Sequence, residues 1–417
     1  MGNAARLRAS GVRVVDAPLA LPEGARLRIV RDERMVPDVE ALLRNFAPQV
    51  QVAGFRNVAE LEAPLEDSET LLVCSSAWPS LLERLGQRPR SDASEALVLL
   101  LPEDYVWGYA DFARSLPGWP ARTGDVVVST SEGRAHLSRW GKTEVRDDGS
   151  IGETDGDTLG LFKERAARQS RALLDLRSRL ADAESVQVVD RLMFGTLEDT
   201  FMHFSGRVFK NVQYLECNQL FPEMVIINGG VQEGFELPYY MAHTAGTARM
   251  LCVDPSGFEY LGPFARAAAE HYAENLLVVP RALWSRSGDV ALPVCNGTVM
   301  SQFKGLNEFP EVVFNCTSID DLVAEHALSA VDLIKLDVEG AEPEVLLGAQ
   351  GTLIEHRPQL AISVYHWPEH VWEIPLFLMN TLPDYDYYLR HYSFGRWECI
   401  LYAIPKPGTS PRLDRHR

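Results

Sequence analysis

The chain has 417 residues, of which 46% are hydrophobic and 24% charged, so it has the composition of a globular protein and is too long for one ordinary domain. Its 58 acidic and 40 basic residues give a net charge of −18, which repels nucleic-acid phosphates and anionic membrane surfaces. Neither nucleic acid nor a membrane is therefore an expected partner.

The cysteines and the apolar segments bear on the cellular compartment. The six cysteines are scattered without a CxxC pair, and several lie in apolar runs where a thiol behaves as a small hydrophobe. The N-terminal residues are not followed by the apolar segment of a signal peptide, and no uncharged run is long enough to span a bilayer. We therefore expect a reduced, cytoplasmic protein.

Residues 1–150 are predicted to form a smaller Rossmann-like α/β accessory domain. Short apolar runs alternate with helix-like stretches, which is the pattern of a parallel sheet covered by helices; the runs lie at 27–30, 50–55, 71–74, 96–101 and 125–129. This region contains no GxGxxG motif, so nothing marks it as a dinucleotide site.

Residues 151–195 are predicted to form a linker and a connecting helix. The stretch 147–157 is acidic, polar and rich in glycine, which is typical of a linker. From 159 to 192, leucines and valines recur mostly every three or four residues, and Arg and Asp occupy the other face. This spacing predicts one long amphipathic helix.

A glycine-rich break follows the next apolar run. The run at 224–227 reads as a buried parallel strand and leads into Asn228, Gly229, Gly230 and Gly234. Glycines between a strand and a helix let the backbone approach a ligand closely. The absence of GKS or GKT argues against a phosphate-binding loop.

Two further apolar runs end near polar residues. The run at 250–253 ends in Asp254, about 20 residues after the glycines, where a strand-end carboxylate can bond ribose hydroxyls. An N-cap for the following helix is the other role open to Asp254. The run at 275–279 is followed by Arg281 and Ala282. A glycine loop and a ribose acid without phosphate-binding residues favour S-adenosylmethionine over NAD.

An acidic turn and a histidine follow the last two runs. The run at 331–338 carries Asp337, with Glu339 and Glu342 after it, and the run at 360–365 leads into His366. In open α/β sheets, ligands bind beyond the carboxyl ends of the strands. We therefore expect these four side chains to converge on a bound ligand.

The segment LIKLDVEGAEPEVLLGA, with CTSIDDL before it and LRHYS and ILYA after it, resembles the FkbM family of S-adenosylmethionine-dependent methyltransferases. The resemblance extends over about residues 190–405. It implies a class I, Rossmann-like methyltransferase fold with a seven-stranded sheet for residues 196–405. It also implies S-adenosylmethionine as cofactor and O-methylation of a hydroxyl on a sugar or secondary metabolite.

The resemblance further implies roles for single residues. Gly230 and Gly234 would approach the methionine and ribose part of the cofactor. Asp254 would bond the ribose hydroxyls, and Arg281 and Ala282 would border the adenine.

One cofactor-binding position departs from the family, which usually has Asp where this chain has Asn228. An amide still donates and accepts hydrogen bonds, but it loses the attraction of a carboxylate for the ammonium group of the cofactor. A non-catalytic cofactor- or metabolite-binding module is therefore an alternative function. A nicotinamide oxidoreductase is a second alternative, disfavoured by the missing GxGxxG.

Methyl transfer to a hydroxyl is an in-line displacement at a sulfonium methyl, so it needs a positioned acceptor and a base. His366 is the first candidate base because imidazole titrates near neutral pH. Asp337 would orient the acceptor or the base, and it also borders the cofactor. Glu339 and His391 are the second and third candidate bases. Glu342 is expected to complement a helix dipole.

No recognisable ligand spacing predicts a metal, although a divalent ion that bridges Asp337 to a carboxylate or to His366 stays open. The aromatic residues near His366 either wall the acceptor pocket or serve only in packing: Tyr365, Trp367, Trp372 and Tyr392.

The tail, residues 406–417, is rich in Pro and Arg and lacks apolar periodicity, so it is predicted to be disordered. The expected partner is a small-molecule or sugar acceptor, and homo-oligomerisation stays open.

Overall fold

The structure is a computed structural model. It describes residues 13–15, 21–31, 43, 49–61, 63–66, 68–74, 78–85, 97–99, 135–136, 143–145, 151–153, 158–195, 213–295, 298–301, 304, 309–392 and 397–417.

The N-terminal part contains a five-stranded parallel sheet. Its elements in chain order are β1 (Arg13–Val15), β2 (Arg26–Arg31), β3 (Gln51–Asn57), β4 (Glu69–Cys74), α1 (Trp78–Leu85) and β5 (Leu97–Leu99). The strand order is β1-β5-β4-β2-β3. The predicted run at 125–129 lies outside the described residues, and the assignment of 1–150 to a Rossmann-like domain stays a prediction.

A small antiparallel sheet and three helices connect this part to the rest. They are β6 (Ala135–His136), β7 (Thr143–Val145), β8 (Ile151–Glu153), α2 (Thr158–Ala167), α3 (Ser170–Arg179) and α4 (Ala183–Phe194). The prediction of a single long helix over 159–192 is therefore wrong. The chain is extended at Leu180 and at Asp182, whose carboxylate accepts a hydrogen bond from Ser185 N at 2.9 Å and so caps a new helix.

From residue 225 onward, strands and helices alternate. In chain order they are β9 (Val225–Gly229), α5 (Glu236–His243), β10 (Arg249–Val253), α6 (Pro263–His271), β11 (Leu276–Val279), β12 (Ala282–Leu283), β13 (Gly288–Cys295), β14 (Thr298–Val299), β15 (Glu311–Thr317), α7 (Ile319–Glu325), β16 (Leu333–Leu336), α8 (Glu342–Leu347), α9 (Gln350–His356), β17 (Gln359–Ser363), α10 (His370–Thr381), β18 (Tyr385–His391), β19 (Cys399–Pro405) and α11 (Pro411–Asp414).

Seven of these strands form the central sheet, in the order β11-β10-β9-β16-β17-β19-β18. The first five are parallel and β19 is antiparallel to both of its neighbours. The apolar side chains of the central strands, such as Ile226, Ile227 and Ile334, are fully buried, as expected for parallel strands covered on both faces. The seven-stranded α/β fold implied by the resemblance is thus present.

The order of strands creates a crevice between β9 and β16. From β9 the chain builds β10 and β11 on one side and then returns to place β16 on the other side. Such a reversal leaves an opening beyond the carboxyl ends of the two strands, which is where open α/β sheets bind ligands.

A second, four-stranded sheet precedes α7 and was not predicted. Its order is β12-β15-β13-β14, with β13 antiparallel to both β15 and β14. Val290 and Leu292 alternate along β13 and are buried, while Val312 and Val313 on β15 are exposed. This small sheet lies beside the crevice.

The tail is ordered, so the prediction of disorder over 406–417 is wrong. Arg412 donates from Nε and Nη2 to the carboxylate of Asp332 at 2.8 and 3.0 Å, and Leu413 is buried. The bidentate ion pair and the buried leucine supply contacts that a periodicity search over twelve residues does not detect. Among the described residues, no helix combines the length and apolarity that crossing a bilayer requires.

Candidate active site

A cavity of about 240 Å³ lies beyond the carboxyl ends of β9, β10 and β16. All four strands of the small sheet contribute apolar side chains to its wall: Ala282, Leu283, Leu292, Val299 and Phe314. The cavity is also lined by four carboxylates: Asp254, Glu259, Asp337 and Glu339. None of the described lining residues is Lys, Arg or His. The cavity therefore offers apolar contact and negative charge together.

Gly230 is a position where only glycine fits. Its φ is +73°, and a Cβ built there would lie 1.7 Å from the carbonyl oxygen of Asp337. Its N–H donates to Val253 O at 2.9 Å, so three strand ends meet at this residue. The predicted close approach of the backbone to the ligand site fits this geometry, since Gly230 lines the cavity.

Gly234 is placed differently from its predicted role. It also has a positive φ of +66°, but its Cα faces the side chains of Leu261 and Ala265. It is not among the residues that line the cavity. Its glycine identity therefore serves the turn before α5 and close packing against α6.

Asp254 holds the loop that follows β9. Its Oδ2 accepts hydrogen bonds from Val231 N at 2.9 Å and Gln232 N at 3.1 Å, and its Oδ1 accepts from Ser256 N at 2.8 Å. The next helix starts only at Pro263, so Asp254 does not cap it. Asp254 also lines the cavity, and its Oδ1 accepts a second hydrogen bond from Ser256 Oγ at 2.5 Å, so each of its oxygens accepts two hydrogen bonds.

Asn228 is not in contact with the cavity. It is fully buried, and its Nδ2 donates to Glu236 Oε1 at 2.7 Å. The same Glu236 oxygen lies 3.6 Å from Nζ of Lys335, which donates in turn to the carbonyl oxygen of Gly230. The predicted contact of Asn228 with the ammonium group of the cofactor is therefore not supported. The amide of Asn228 donates a hydrogen bond to the Glu236 carboxylate, which an ionised carboxylate at position 228 could not do.

The two residues predicted to border the adenine have different surroundings in the structure. Ala282 lies on β12 and lines the cavity. Arg281 donates from Nη2 to Glu325 Oε2 at 2.7 Å, in an ion pair on α7, and is not among the lining residues. Ala282 therefore remains a predicted cofactor contact, whereas Arg281 lies outside the cavity lining.

Asp337 is held at the bottom of the crevice by two tyrosine hydroxyls. Tyr214 donates to its Oδ2 at 2.8 Å, and Tyr365 donates to its Oδ1 at 3.0 Å. The hydroxyl of Tyr214 also lies 3.1 Å from Ser363 Oγ. Burial and the charge of Asp337 raise the pKa of both tyrosines, so both remain donors. Asp337 is a fixed carboxylate directed at the cavity.

His366 lies among three carboxylates, as the convergence of strand ends predicts. Its Nε2 is 3.4 Å from Glu339 and 3.6 Å from Asp337, and its Nδ1 is 3.0 Å from Glu342. Burial acts to lower the pKa of His366, but the charges of Glu342 and Glu339 hold that pKa well above its usual value.

This surrounding argues against His366 as the base. Its side chain is only 1% exposed and is not among the cavity-lining residues, so an acceptor bound in the cavity does not reach it. Glu339, the second candidate, does line the cavity. Its φ of +53° bends the chain sharply after β16 and turns the side chain toward that space.

Glu342 has a larger role than helix electrostatics. It lies in the first turn of α8, as predicted, but its side chain is fully buried against His366 and His370. Its Oε1 also accepts a hydrogen bond from Val338 N at 2.9 Å. Burial acts to raise the pKa of Glu342, and the charge of His366 outweighs it and lowers that pKa.

His391 and most of the predicted aromatic wall lie elsewhere. His391 is buried on β18, two strands away from β17, and is not among the lining residues. Trp372 is buried in α10, and the hydroxyl of Tyr392 donates to Glu216 at 2.8 Å. Tyr365 alone contacts the site, through Asp337 and through its ring, 4.3 Å from that of His366.

Two residues at the site were missed. Tyr214 supports Asp337 from a loop before β9, with a positive φ of +64°. Glu398 lies next to β19, where burial and the charge of Asp337 raise its pKa, while Gln213 donates a hydrogen bond to it. No spacing in the sequence connects either residue to Asp337. Glu398 lies 61 residues beyond it and Tyr214 lies 123 residues before it.

A comparison with protein families supports the resemblance seen in the sequence. Residues 230–389 match the model of the Methyltransferase FkbM domain. The match confirms the resemblance carried by the LDVEGAE segment and supports methyl transfer as the general activity. It begins at Gly230 and includes Asp254, Asp337 and His366. No curated protein matches the chain significantly in sequence.

Among solved structures, the chain is similar to a methyltransferase FkbM from Methylobacillus flagellatus KT, with 16% identity and a TM-score of 0.46. That alignment covers 96% of this chain and 98% of the other. A SAM-dependent methyltransferase from Aquifex aeolicus has 15% identity and a TM-score of 0.25, over 55% of this chain and 96% of the other. Neither likeness is close enough to carry a conclusion about substrate or mechanism.

Proposed function

We propose that this protein is an S-adenosylmethionine-dependent methyltransferase that O-methylates a hydroxyl of a small secondary metabolite or sugar. The observation that carries the proposal is the cavity at the strand reversal. It combines a glycine-only backbone approach at Gly230 with carboxylates at the ends of β10 and β16.

The charge of the cavity favours this cofactor over a dinucleotide. S-adenosylmethionine carries a sulfonium and an ammonium group, and both are attracted by nearby carboxylates such as Asp254 and Asp337. A dinucleotide carries phosphates, which the same carboxylates repel. Since none of the described lining residues is basic, the nicotinamide alternative loses support.

In the proposed binding mode, a ribose hydroxyl would replace the Ser256 hydroxyl as a donor to Asp254 Oδ1, while Oδ2 keeps its hydrogen bonds to the loop after β9. The adenine lies beside Ala282 and the apolar side chains of the small sheet. The methionine part extends toward Gly230 and Asp337. Glu339 also lines the cavity, so the sulfonium methyl would lie within its reach.

In the transfer step, the acceptor oxygen attacks the methyl carbon as the bond from carbon to sulfur breaks. The cofactor leaves as the neutral thioether, and the hydroxyl proton passes to a base. The geometry favours Glu339 as the base, because Glu339 lines the cavity. His366 Nε2 lies 3.4 Å from Glu339 Oε2 and fixes the position of the carboxylate. Asp337, held by Tyr214 and Tyr365, orients the acceptor.

The alternative of a non-catalytic binding module loses its motivation. It rested on Asn228 as a weakened cofactor contact, and Asn228 contacts Glu236 inside the protein.

The test uses the full chain with methyl-labelled S-adenosylmethionine and a panel of sugars and hydroxylated metabolites, with products identified by mass spectrometry. Glu339→Gln should lower the rate at least about tenfold while cofactor affinity stays near that of the wild type. Glu355→Gln, on the exposed face of α9, is the matched control and should have no effect. Transfer to amines only, or a wild-type rate in Glu339→Gln, would contradict the proposal.

A further inference from the structure

We propose that Asp337, Glu342 and His366 form a binding site for one divalent transition-metal ion beside the cavity. These three residues can each supply a ligand atom, and the atoms lie within 4.8 Å of one another. Sequence spacing predicted no metal, because the three residues lie on a strand end, a helix and a second strand end.

Several buried polar atoms at this place lack a hydrogen bond of normal geometry, which favours a bound cation. Both ring nitrogens of His366 are buried and make ion-pair contacts with Glu339 and Glu342, but neither makes a hydrogen bond of normal geometry with a described residue. Oε2 of Glu342 is likewise buried without a hydrogen bond. A buried histidine and a buried carboxylate normally satisfy these atoms, and a metal ion accepts lone pairs from both.

The distances are close to those of a coordination shell. Donor atoms about 2.1 Å from a metal lie about 3.0 to 3.4 Å from each other in octahedral or tetrahedral arrangements. Nε2 of His366 lies 3.4 Å from Glu339 and 3.6 Å from Asp337, whereas Nδ1, on the other side of the ring, lies 3.0 Å from Glu342. A rotation of the imidazole that places one ring nitrogen between Asp337 and Glu342 would bring these three ligands onto one ion.

The charge of the site and the types of its ligands limit which ions it favours. Three carboxylates lie around one histidine, so a doubly charged cation compensates them better than a proton on the imidazole. Imidazole combined with carboxylates favours Mn²⁺, Fe²⁺, Co²⁺ or Zn²⁺ over Ca²⁺ and Mg²⁺, which prefer oxygen ligands alone.

The position of the site indicates what the ion does. Glu342 and His366 close it on the protein side, whereas Asp337 and Glu339 open onto the cavity. An ion there keeps a coordination position for a ligand from the cavity, as catalytic sites do. If the proposed methyl transfer holds, that ligand is the acceptor hydroxyl, whose pKa the metal lowers before its proton passes to Glu339.

The test is a calorimetric titration of MnCl₂ alone into the full chain after EDTA treatment and dialysis, with electron paramagnetic resonance to follow free Mn²⁺. We expect one equivalent to bind, and a parallel titration with ZnCl₂ to compete for it. Glu342→Gln should weaken binding at least about tenfold. Glu344→Gln, on the same helix and partly exposed, should bind as the wild type does.

Asp337→Asn provides a second variant in case Glu342→Gln unfolds the buried site, which circular dichroism will reveal. It should also weaken Mn²⁺ binding at least about tenfold. Folded wild-type protein that binds neither metal at about 1 mM overturns the proposal, as does binding that both variants leave unchanged. A protein that binds S-adenosylmethionine but no metal would refute the metal site alone, and one that binds metal but no S-adenosylmethionine would refute the proposed function alone.

Discussion

Replacing Gly230 by alanine tests whether the crevice depends on the contact between the ends of β9 and β16. The new Cβ would lie 1.7 Å from the backbone oxygen of Asp337, a distance that no real structure allows. Because the obstructing atom belongs to the backbone, a side-chain rotation cannot relieve the clash. The end of β16 must move by about 1 Å or more to restore ordinary contact.

The expected magnitude has two parts. Alanine at a φ of +73° costs about 1–2 kcal/mol in backbone strain. Overpacking against a buried backbone atom costs about another 1–3 kcal/mol. Gly408→Ala is the matched control, since Gly408 has a φ of +84° and a Cβ at that position would meet nothing within 4 Å, so the substitution incurs the strain alone.

The assay is urea denaturation of both variants followed by tryptophan fluorescence. Gly230→Ala should lose about 2–5 kcal/mol in free energy of unfolding, and Gly408→Ala about 1–2 kcal/mol. Gly230→Ala should also lose affinity for S-adenosylmethionine, because Asp337 moves with the strand end. Equal stabilities of the two variants, within about 0.5 kcal/mol, would refute the close-approach argument.

Three further changes probe other parts of the structure. Asn228→Asp should destabilise the fold by at least about 3 kcal/mol, because the new carboxylate would face the Glu236 carboxylate. In the wild type, Asn228 Nδ2 lies 2.7 Å from Glu236 Oε1. A stable variant that binds S-adenosylmethionine more tightly would contradict this prediction. Asp254→Ala should weaken cofactor binding at least about tenfold in calorimetry, since the loop after β9 loses its hydrogen bonds to the carboxylate; unchanged affinity would remove Asp254 from the site. Asp182→Ala should cost about 2 kcal/mol in thermal or urea unfolding, because α4 loses its cap and Arg390 loses its nearest partner, at 2.6 Å. Burial acts to raise the pKa of Asp182, but Arg390 and other donors lower it to about 2. Because the pKa of Asp182 is lower in the folded state, the stabilisation by its carboxylate is complete above the unfolded pKa of about 3.9 and is lost as pH falls through about 2. The variant and the wild type should therefore have equal stability only in strong acid.

The strands that build the crevice were predictable because their signal is local. The mostly apolar runs at 224–227, 250–253 and 360–365 favour buried strands, and the residue that follows each run lies near a strand end. Since parallel strands end at one edge, the convergence of Asp337, Glu339, Glu342 and His366 followed, and the structure confirms it.

The roles of these side chains were less predictable, because they depend on distances of a few tenths of an ångström. The sequence places Glu342 in a first helical turn but does not show that its carboxylate reaches Nδ1 of His366 at 3.0 Å. Nor does it show that His366 turns away from the cavity while Glu339 turns toward it.

Long-range partners were not predictable at all. Tyr214 reaches Asp337 across 123 residues, and the small sheet that walls the cavity forms from strands as short as two residues. Arg412 and Asp332, 80 residues apart, order a tail whose own composition predicts disorder. In each case a tertiary contact decides the structure, and local patterns contain no trace of it.

The most direct test of the account is a calorimetric titration of the full chain with S-adenosylmethionine, with NADH titrated in parallel. The account predicts one binding site for S-adenosylmethionine, weakened by Asp254→Ala, and no heat of binding with NADH. Binding of NADH, or no binding of S-adenosylmethionine at about 1 mM by the folded protein, would contradict it.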